Sequence, residues 1–283
     1  MIDRILNKLG ISLNEMQQEA FQSIAHGDKD VVVLSPTGSG KTLAYLLPLS
    51  QLVDAGDDEP QAIVVTPGRE LALQSSTVLK DMGSGLRAMA CYGGRAAMDE
   101  HRVLKQVRPQ IIFGTPGRLN DHLSKGNFSP YHIKYLVIDE FDKCLEMGFQ
   151  DEMSRLIQSL PGLRRHFLLS ATEAEEIPRF VHMGRVEKID YRMDEEQVPE
   201  RVHIYKVESP VKDKLESLGR LLRSLGETST IVFLNYRDSV ERTNNYLVEQ
   251  GFSTSFFHGG LEQKEREASL YRFSNGSANI LVS

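Results

Sequence analysis

The stretch Val31-Val32-Val33-Leu34-Ser35-Pro36-Thr37-Gly38-Ser39-Gly40-Lys41-Thr42 joins an apolar run to a glycine-rich loop, and a helix-like segment follows it. This order is typical of a phosphate-binding loop, in which backbone N–H groups at a helix N-terminus surround phosphate oxygens. Lys41 is expected to reach the β- and γ-phosphates, and the Thr42 hydroxyl to ligate Mg²⁺. The general pattern has Gly where Ser35 stands. Residues 35–42 are therefore predicted to bind a nucleoside triphosphate, with an ordinary strand-to-helix turn as the alternative.

Three carboxylates follow a second apolar run, because Tyr135-Leu136-Val137-Ile138 precedes Asp139-Glu140-Phe141-Asp142. Ligands of open α/β sheets bind where the strands end. Asp139 is expected to hold the Mg²⁺, and Glu140 to polarise the attacking water, because phosphoryl transfer needs a positioned base or water-orienting group. A solvated acidic turn is the alternative, and the phosphate-binding loop upstream weighs against it.

Apolar runs at 31–34, 62–66, 110–114, 135–138 and 166–169 alternate with helical patterns. Such alternation predicts an α/β fold with a doubly wound parallel sheet and its ligand loops at the carboxyl ends of the strands. Nearly every motif of the first part of the chain falls at such an end, so local pattern and site position agree.

In their order along the chain, these segments resemble the motifs of the DEAD-box RNA helicases of superfamily 2. Gly10-Ile11-Ser12-Leu13-Asn14-Glu15-Met16-Gln17 resembles the Q motif, whose glutamine, here Gln17, reads the adenine of ATP. The likeness is partial, since Leu13, Asn14 and Glu15 replace the usual prolines and threonine. The resemblance implies two RecA-like domains, with ATP and Mg²⁺ as cofactors.

Three further segments resemble the RNA-backbone contacts of that family: Pro67-Gly68-Arg69-Glu70-Leu71-Ala72 (motif Ia, with Gly68 in place of threonine), Gly93-Gly94 and Thr115-Pro116-Gly117-Arg118 (motif Ib). Loops that offer backbone N–H groups, hydroxyls and Arg side chains suit sugar-phosphate and carry no base code. As isolated strings, the last two are better explained by ordinary turns or helix caps.

Residues 139–142 take the place of the name-giving D-E-A-D, with Phe141 where alanine is usual, and Ser170-Ala171-Thr172 matches motif III. The resemblance implies that Ser170 and Thr172 hydrogen-bond Asp142 and couple the ATP site to domain closure. Activity is expected to survive the Phe141 replacement, provided that the larger ring finds packing space.

We expect a RecA-like ATP-binding domain over 1–193, a linker over 194–200 and a partial second RecA-like domain over 201–283. That second part is predicted to hold a strand at 201–207, a helix at 212–225 and a motif IV-like strand at 230–235. The sequence ends at 278–283, inside a predicted strand, and contains no H-R-x-G-R string of the kind that supplies the family's γ-phosphate arginines. The expectation is a truncated helicase with impaired turnover, and a naturally short form competes with it.

The net charge of −6, from 33 basic and 39 acidic side chains, provides no bulk attraction for nucleic acid. Cys91 and Cys144 lack the spacing of a zinc site or a disulfide framework. No stretch approaches the ~18 apolar residues of a membrane helix. We therefore expect a cytoplasmic monomer without a membrane partner, which binds RNA only through local backbone contacts.

The function that this resemblance implies is an ATP-dependent RNA helicase, in which RNA-stimulated ATP hydrolysis drives local duplex unwinding. A nucleotide-gated RNA or protein clamp with negligible hydrolysis is the alternative from the binding class. A DNA-directed or translocating helicase is a weaker third hypothesis.

Overall fold

The computed structural model describes residues 2–93, 97–173, 177–192, 203–210 and 212–283. The chain divides into two compact units, Met1–Gln197 and Val198–Ser283. Each unit has its own sheet. The predicted linker at 194–200 lies outside the described residues.

The first unit is built on a seven-stranded sheet whose pairings are all parallel. Its strands are β1 (Asp30–Leu34), β2 (Ala62–Val65), β3 (Ala88–Cys91), β4 (Ile111–Gly114), β5 (Tyr135–Ile138), β6 (Arg165–Ser170) and β7 (Val186–Asp190). They lie in the order β3-β4-β2-β5-β6-β1-β7. The doubly wound parallel sheet predicted from the sequence is confirmed, with two strands, β3 and β7, that the pattern did not reveal.

Helices cover both faces of this sheet. They are α1 (Ile2–Leu9), α2 (Glu15–His26), α3 (Lys41–Leu52), α4 (Arg69–Met82), α5 (Ala97–Val107), α6 (Pro116–Ser124), α7 (Phe141–Glu146) and α8 (Gln150–Gln158). Alternate strand residues divide between two buried clusters: Val31 and Val33 pack with α1 to α4, whereas Val32 and Leu34 pack with α5 to α8. Burial on both faces explains why these strands read as continuous apolar runs.

The second unit has a three-stranded parallel sheet in the order β8-β10-β9. Its elements are α9 (Leu215–Leu225), β8 (Thr230–Val232), α10 (Arg237–Glu249), β9 (Thr254–Phe256), α11 (Gln263–Ser274) and β10 (Ile280–Val282). Its buried core is small and centres on Leu222, Val240, Leu247, Ile280 and Val282.

The strand predicted at 201–207 is wrong over its described part, since 203–207 has no regular secondary structure. Its apolar side chains are exposed, Ile204 by 78% and Tyr205 by 83%. Alternation of apolar and polar residues favours a strand only where a neighbouring strand supplies hydrogen bonds and a core face. In the part of the chain that the structure describes, neither sheet pairs with this segment. No described helix is long and apolar enough to span a membrane.

Candidate nucleotide and RNA sites

The glycine-rich loop lies between β1 and α3, at the carboxyl edge of the sheet. Gly38 and Gly40 have φ of +81° and +89°, in the left-handed region that favours glycine. A Cβ added at Gly40 would lie 2.3 Å from the Gln17 Nε2, so a side chain here would displace the Gln17 amide. Ser35 replaces the first glycine without strain, because it is not among the described residues with positive φ.

Lys41 is the first residue of α3 and folds back over the loop. Its Nζ donates to the carbonyl oxygens of Ser35 (2.7 Å) and Pro36 (2.9 Å). Burial lowers the Lys41 pKa, although the carboxylates of Asp139, Asp142 and Glu140 partly oppose this shift. The ammonium is thus held in the loop interior, beside the acidic segment that the sequence placed in the same site.

Asp139 follows β5 and is 2% exposed. Burial, and then the neighbouring Glu140 charge, raise its pKa to about 6. The Tyr45 hydroxyl donates to its Oδ2 (3.3 Å), and the Glu140 N–H donates to its Oδ1 (3.0 Å). A buried carboxylate with this little compensation is suited to accept a cation.

Glu140 has a φ of +49°, which is uncommon for a residue with a Cβ. It lies at the sharp turn from β5 into α7. Backbone strain of this kind costs on the order of 1–3 kcal/mol and clusters at functional sites. This turn fixes the direction of the Glu140 Cα–Cβ bond, a feature that the sequence did not signal.

Asp142 connects this segment to the end of β6. Its Oδ2 accepts hydrogen bonds from the Thr172 backbone N–H (3.2 Å) and hydroxyl (3.0 Å). The Ser170 hydroxyl donates to the Thr172 carbonyl oxygen (2.6 Å). Burial alone would raise the Asp142 pKa, but hydrogen bonds from Thr172 and the Lys143 N–H outweigh it and hold the pKa below its ordinary value. The structure thus brings together all three residues assigned to interdomain coupling.

Gln17 contacts the phosphate-binding loop directly. Its Nε2 donates to the Gly40 carbonyl oxygen (3.1 Å), while its Oε1 accepts the Asn14 N–H (3.0 Å). Asn14 in turn caps α2 through the Gln17 N–H (2.9 Å) and donates to the Ser39 carbonyl oxygen (3.0 Å). Asn14 thus joins the cap of α2 to the loop. Its signal was present, since a capping residue three positions before Gln predicts a capping box.

The first two RNA-contact segments lie at the ends of β2 and β3. Gly68 is the N-cap of α4 and Arg69 its first residue, while Pro67 is buried. A Cβ added at Gly93 would lie 3.4 Å from the Arg69 Nη2, so the guanidinium packs close over this glycine. Gly94 lies outside the described residues.

The third segment lies at the end of β4. Thr115 is the N-cap of α6, followed by Pro116 at its first position and the exposed Gly117. Arg118 is largely buried, and its Nε donates to the Glu100 Oε2 (2.8 Å). Sequence reasoning missed Glu100, because no local pattern marks it.

Sheet order separates the two sets of candidate residues. The strands β3, β4 and β2 lead into the candidate RNA segments, whereas β5, β6 and β1 lead into the acidic segment, motif III and the phosphate-binding loop. All six strands are parallel, so both sets lie at one edge of one sheet. This edge can hold a nucleotide with a cation on one half and a sugar-phosphate backbone on the other.

Comparison with family models gives two matches. The DEAD/DEAH box helicase model matches residues 14–180, and the helicase conserved C-terminal domain model matches residues 213–283.

Two curated relatives are similar over almost the whole chain. The ATP-dependent RNA helicase DbpA of Escherichia coli (strain K12) is 38% identical over 285 residues, with 98% of this chain and 61% of that protein covered. The ATP-dependent RNA helicase CshA of Limosilactobacillus reuteri is 34% identical over 271 residues, with 94% of this chain and 54% of that protein covered. This chain thus spans just over half the length of such relatives.

Among solved structures, S. cerevisiae Dbp5 bound to RNA and ADP BeF3 superimposes with a TM-score of 0.83 at 25% identity. The match covers 99% of this chain and 73% of that one. Its two-unit α/β fold is therefore shared by the present chain.

Proposed function

This chain belongs to the DEAD-box family of superfamily 2 helicases, and on that premise we propose that it is an ATP-dependent RNA helicase whose ATP hydrolysis is stimulated by RNA. The proposal rests on the carboxyl edge of the sheet. There, six parallel strands lead into the candidate nucleotide segments on one half of the edge and the candidate RNA segments on the other.

We assign the ATP site to Gln17 and residues 35–42. Phosphate oxygens would replace the loop carbonyls as partners of the Lys41 ammonium, which already lies inside the loop. Thr42 and Asp139 would hold Mg²⁺, and their hydroxyl and carboxylate oxygens fit that ion, which prefers hard oxygen ligands. Bound there, Mg²⁺ would neutralise phosphate charge.

Glu140 is assigned the role of orienting the attacking water. Its backbone supports this role, because the positive φ fixes the direction of the Cα–Cβ bond and the Glu140 N–H is bonded to Asp139. The two hydrogen bonds between Asp142 and Thr172 would couple the nucleotide site to motif III, to which Thr172 belongs. None of these residues would form a covalent bond with the phosphate, since phosphoryl transfer depends on positioning and charge.

RNA would bind through its backbone at Pro67, Gly68, Arg69, Gly93, Gly94, Thr115, Gly117 and Arg118. Backbone contacts of this kind fix register without reading sequence. Because the chain is acidic overall, binding would depend on these local groups and weaken steeply with salt.

Steady-state ATPase activity with and without single-stranded RNA tests the proposal. We expect RNA to stimulate turnover and Glu140→Gln to lower it by about 10²- to 10⁴-fold, the usual range for a positioned proton-transfer group. Glu146→Gln is the matched control, because it makes the same change on α7 at an exposed side chain paired with Lys143. Turnover insensitive to both RNA and Glu140→Gln would contradict the proposal.

The same assay separates the clamp alternative. Lys41→Ala should abolish nucleotide binding whether the chain is a helicase or a clamp, whereas Glu140→Gln should matter only to a helicase. Nucleotide binding without turnover above the Glu140→Gln level would favour the clamp. Competition between single-stranded RNA and DNA, with a non-hydrolysable ATP analogue present, would reveal a DNA-directed enzyme.

A further inference from the structure

Glu100, on α5, is a buried carboxylate at the centre of a hydrogen-bonded cluster and is only 3% exposed. Its Oε2 accepts from the Arg118 Nε (2.8 Å) and lies 2.8 Å from the His122 Nε2. Its Oε1 accepts the Tyr92 N–H (3.3 Å). Buried carboxylates are rare unless they are paired, and this one serves three partners.

His122 links this cluster to a second side chain. Its ring is fully buried, and the Asn127 Nδ2 lies 2.8 Å from its Nδ1. With the Asn127 amide as donor to Nδ1, the ring proton sits on Nε2 and is donated to Glu100. Burial alone would raise the Glu100 pKa, but His122 and Arg118 hold it below its ordinary value, so the carboxylate is ionised at neutral pH.

The cluster joins two separate loops. Tyr92 directly precedes Gly93 at the end of β3, whereas Arg118 and His122 belong to α6, which begins at the end of β4. Glu100 therefore contacts both the turn before Gly93 and the Arg118 side chain, whose Nη1 also lies 3.4 Å from the Asp121 Oδ2. These are two of the three segments assigned to RNA.

Cys91 also lies within reach, since ligand atoms of Cys91, Glu100 and His122 fall within 4.8 Å of one another. A metal ion there would compete with the Arg118 guanidinium, which already neutralises Glu100. Burial, followed by the Glu100 charge, also raises the pKa of the Cys91 thiol and so opposes the thiolate that binds metals. The arrangement therefore favours a hydrogen-bonded cluster over a metal centre.

We propose that Glu100 is a positioning residue for RNA binding, which holds Arg118 and the residue 92–93 turn in the arrangement that an RNA backbone meets. The proposal rests on the assignment of this face to RNA. Fixing a long side chain before binding saves the free energy of ordering it in the complex. Loss of this order corresponds to an RNA affinity about 3- to 10-fold weaker.

Glu100→Gln tests this role with a change of nearly equal shape. The amide keeps an oxygen acceptor for the Tyr92 N–H but brings an NH₂ group toward the two donors, Arg118 and His122. We expect the Kd for fluorescein-labelled single-stranded RNA, measured with a non-hydrolysable ATP analogue and Mg²⁺, to rise about 3- to 10-fold. The Kd for a fluorescent ADP should not change.

Two comparisons make the result specific. In an Arg118→Gln background, Glu100→Gln should weaken RNA binding no further, because the amide keeps the acceptor for the Tyr92 N–H and only its contact with Arg118 bears on RNA. Asp58→Asn is the matched control, since that exposed carboxylate pairs with Arg87 and Arg108 away from the cluster, and it should leave both affinities unchanged.

Several outcomes would overturn the proposal: full RNA affinity in Glu100→Gln, equal loss in the Arg118→Gln background, or stoichiometric Zn²⁺ binding that raises the melting temperature of the wild type. If Glu100→Gln does not fold, Glu100→Asp serves in its place, because it keeps the charge but moves the carboxylate away from Arg118 by the length of one methylene. It should then weaken RNA binding by the same factor, and unchanged affinity would refute the role. A wild type that binds no RNA would instead refute the proposed function.

Discussion

Replacement of Asp30 by Asn should destabilise the first unit strongly, although the two side chains have almost the same shape. Asp30 begins β1, the strand that leads into the phosphate-binding loop, and is 5% exposed. Its Oδ1 accepts the His166 N–H (2.7 Å) from β6, and its Oδ2 accepts the Gly184 N–H (2.6 Å). One carboxylate thus holds β1 to its neighbour and to the turn that precedes β7.

The expected loss in the free energy of unfolding follows from the two backbone N–H groups that Asp30 accepts. An amide can accept at only one oxygen, so in either orientation Asp30→Asn directs an NH₂ group at a backbone N–H. One charge-assisted hydrogen bond is lost, at roughly 1.5–3 kcal/mol, and a buried donor is left unpaired, at roughly 1–3 kcal/mol. We expect a loss of about 3 kcal/mol in the free energy of unfolding, or a fall of roughly 6–12 °C in Tm for a unit of this size.

The stabilisation by the Asp30 carboxylate should increase with pH. Burial alone would raise the Asp30 pKa, but hydrogen bonds from the His166 side chain and from two backbone N–H groups hold it below its ordinary value. The carboxylate therefore stabilises the fold above the unfolded pKa, about 3.9, and that stabilisation is lost as pH falls through the lower folded pKa. The difference between wild type and Asp30→Asn should be largest near neutral pH and should shrink below about pH 4.

Urea and thermal unfolding followed by far-UV circular dichroism measure this effect, since the chain contains no Trp. Asp28→Asn is the matched control, because Asp28 lies two residues away with a side chain 73% exposed and paired only with Arg185 among the contacts described for it. That surface pair should contribute no more than about 1 kcal/mol. Equal stability of Asp30→Asn and wild type at pH 7, or equal effects of the two substitutions, would refute the reasoning.

Three further substitutions or reactions probe the interior of the first unit. Tyr45→Phe removes the hydroxyl that donates to Asp139 and should cost about 1 kcal/mol in urea unfolding, whereas an unchanged midpoint would show that this 3.3 Å contact contributes nothing. Phe141→Ala introduces the residue usual in the family. It should nevertheless lower the free energy of unfolding by about 3–5 kcal/mol, because the ring is buried beside a cavity of about 90 Å³. A stability equal to that of the wild type would contradict this expectation. Burial raises the pKa of the Cys91 and Cys144 thiols, so iodoacetamide at pH 8 should label neither in the native protein and both in urea, as read by mass spectrometry.

Most of the fold could be predicted from the sequence, because its signals are local. Continuous apolar runs marked five strands, and each was followed by a loop of characteristic composition. Strands β3 and β7 gave no comparable signal. The first consists of Ala-Met-Ala-Cys, and the second buries only Ile189 among its five residues. An edge strand takes its structure from its neighbour rather than from its own composition.

Some residues of the candidate site could be predicted from the sequence, and others could not. The apolar runs before Ser35 and Asp139 indicated where β1 and β5 end, so the loops that hold Lys41, Asp139 and Asp142 could be expected at the sheet edge. Glu100 escaped notice because its partners Arg118 and His122 lie 18 and 22 residues away and meet it only after folding. The positive φ of Glu140 was equally invisible, because tertiary packing imposes it on a residue that does not prefer it.

The affinity of this chain for labelled single-stranded RNA, measured with and without a non-hydrolysable ATP analogue and Mg²⁺, tests the central claim most directly. If the two halves of the sheet edge act together, the nucleotide should tighten RNA binding, and by linkage RNA should tighten nucleotide binding by the same factor. We predict a coupling of at least about fivefold, the lower end of typical allosteric coupling. An RNA affinity that is the same with and without nucleotide would contradict the account.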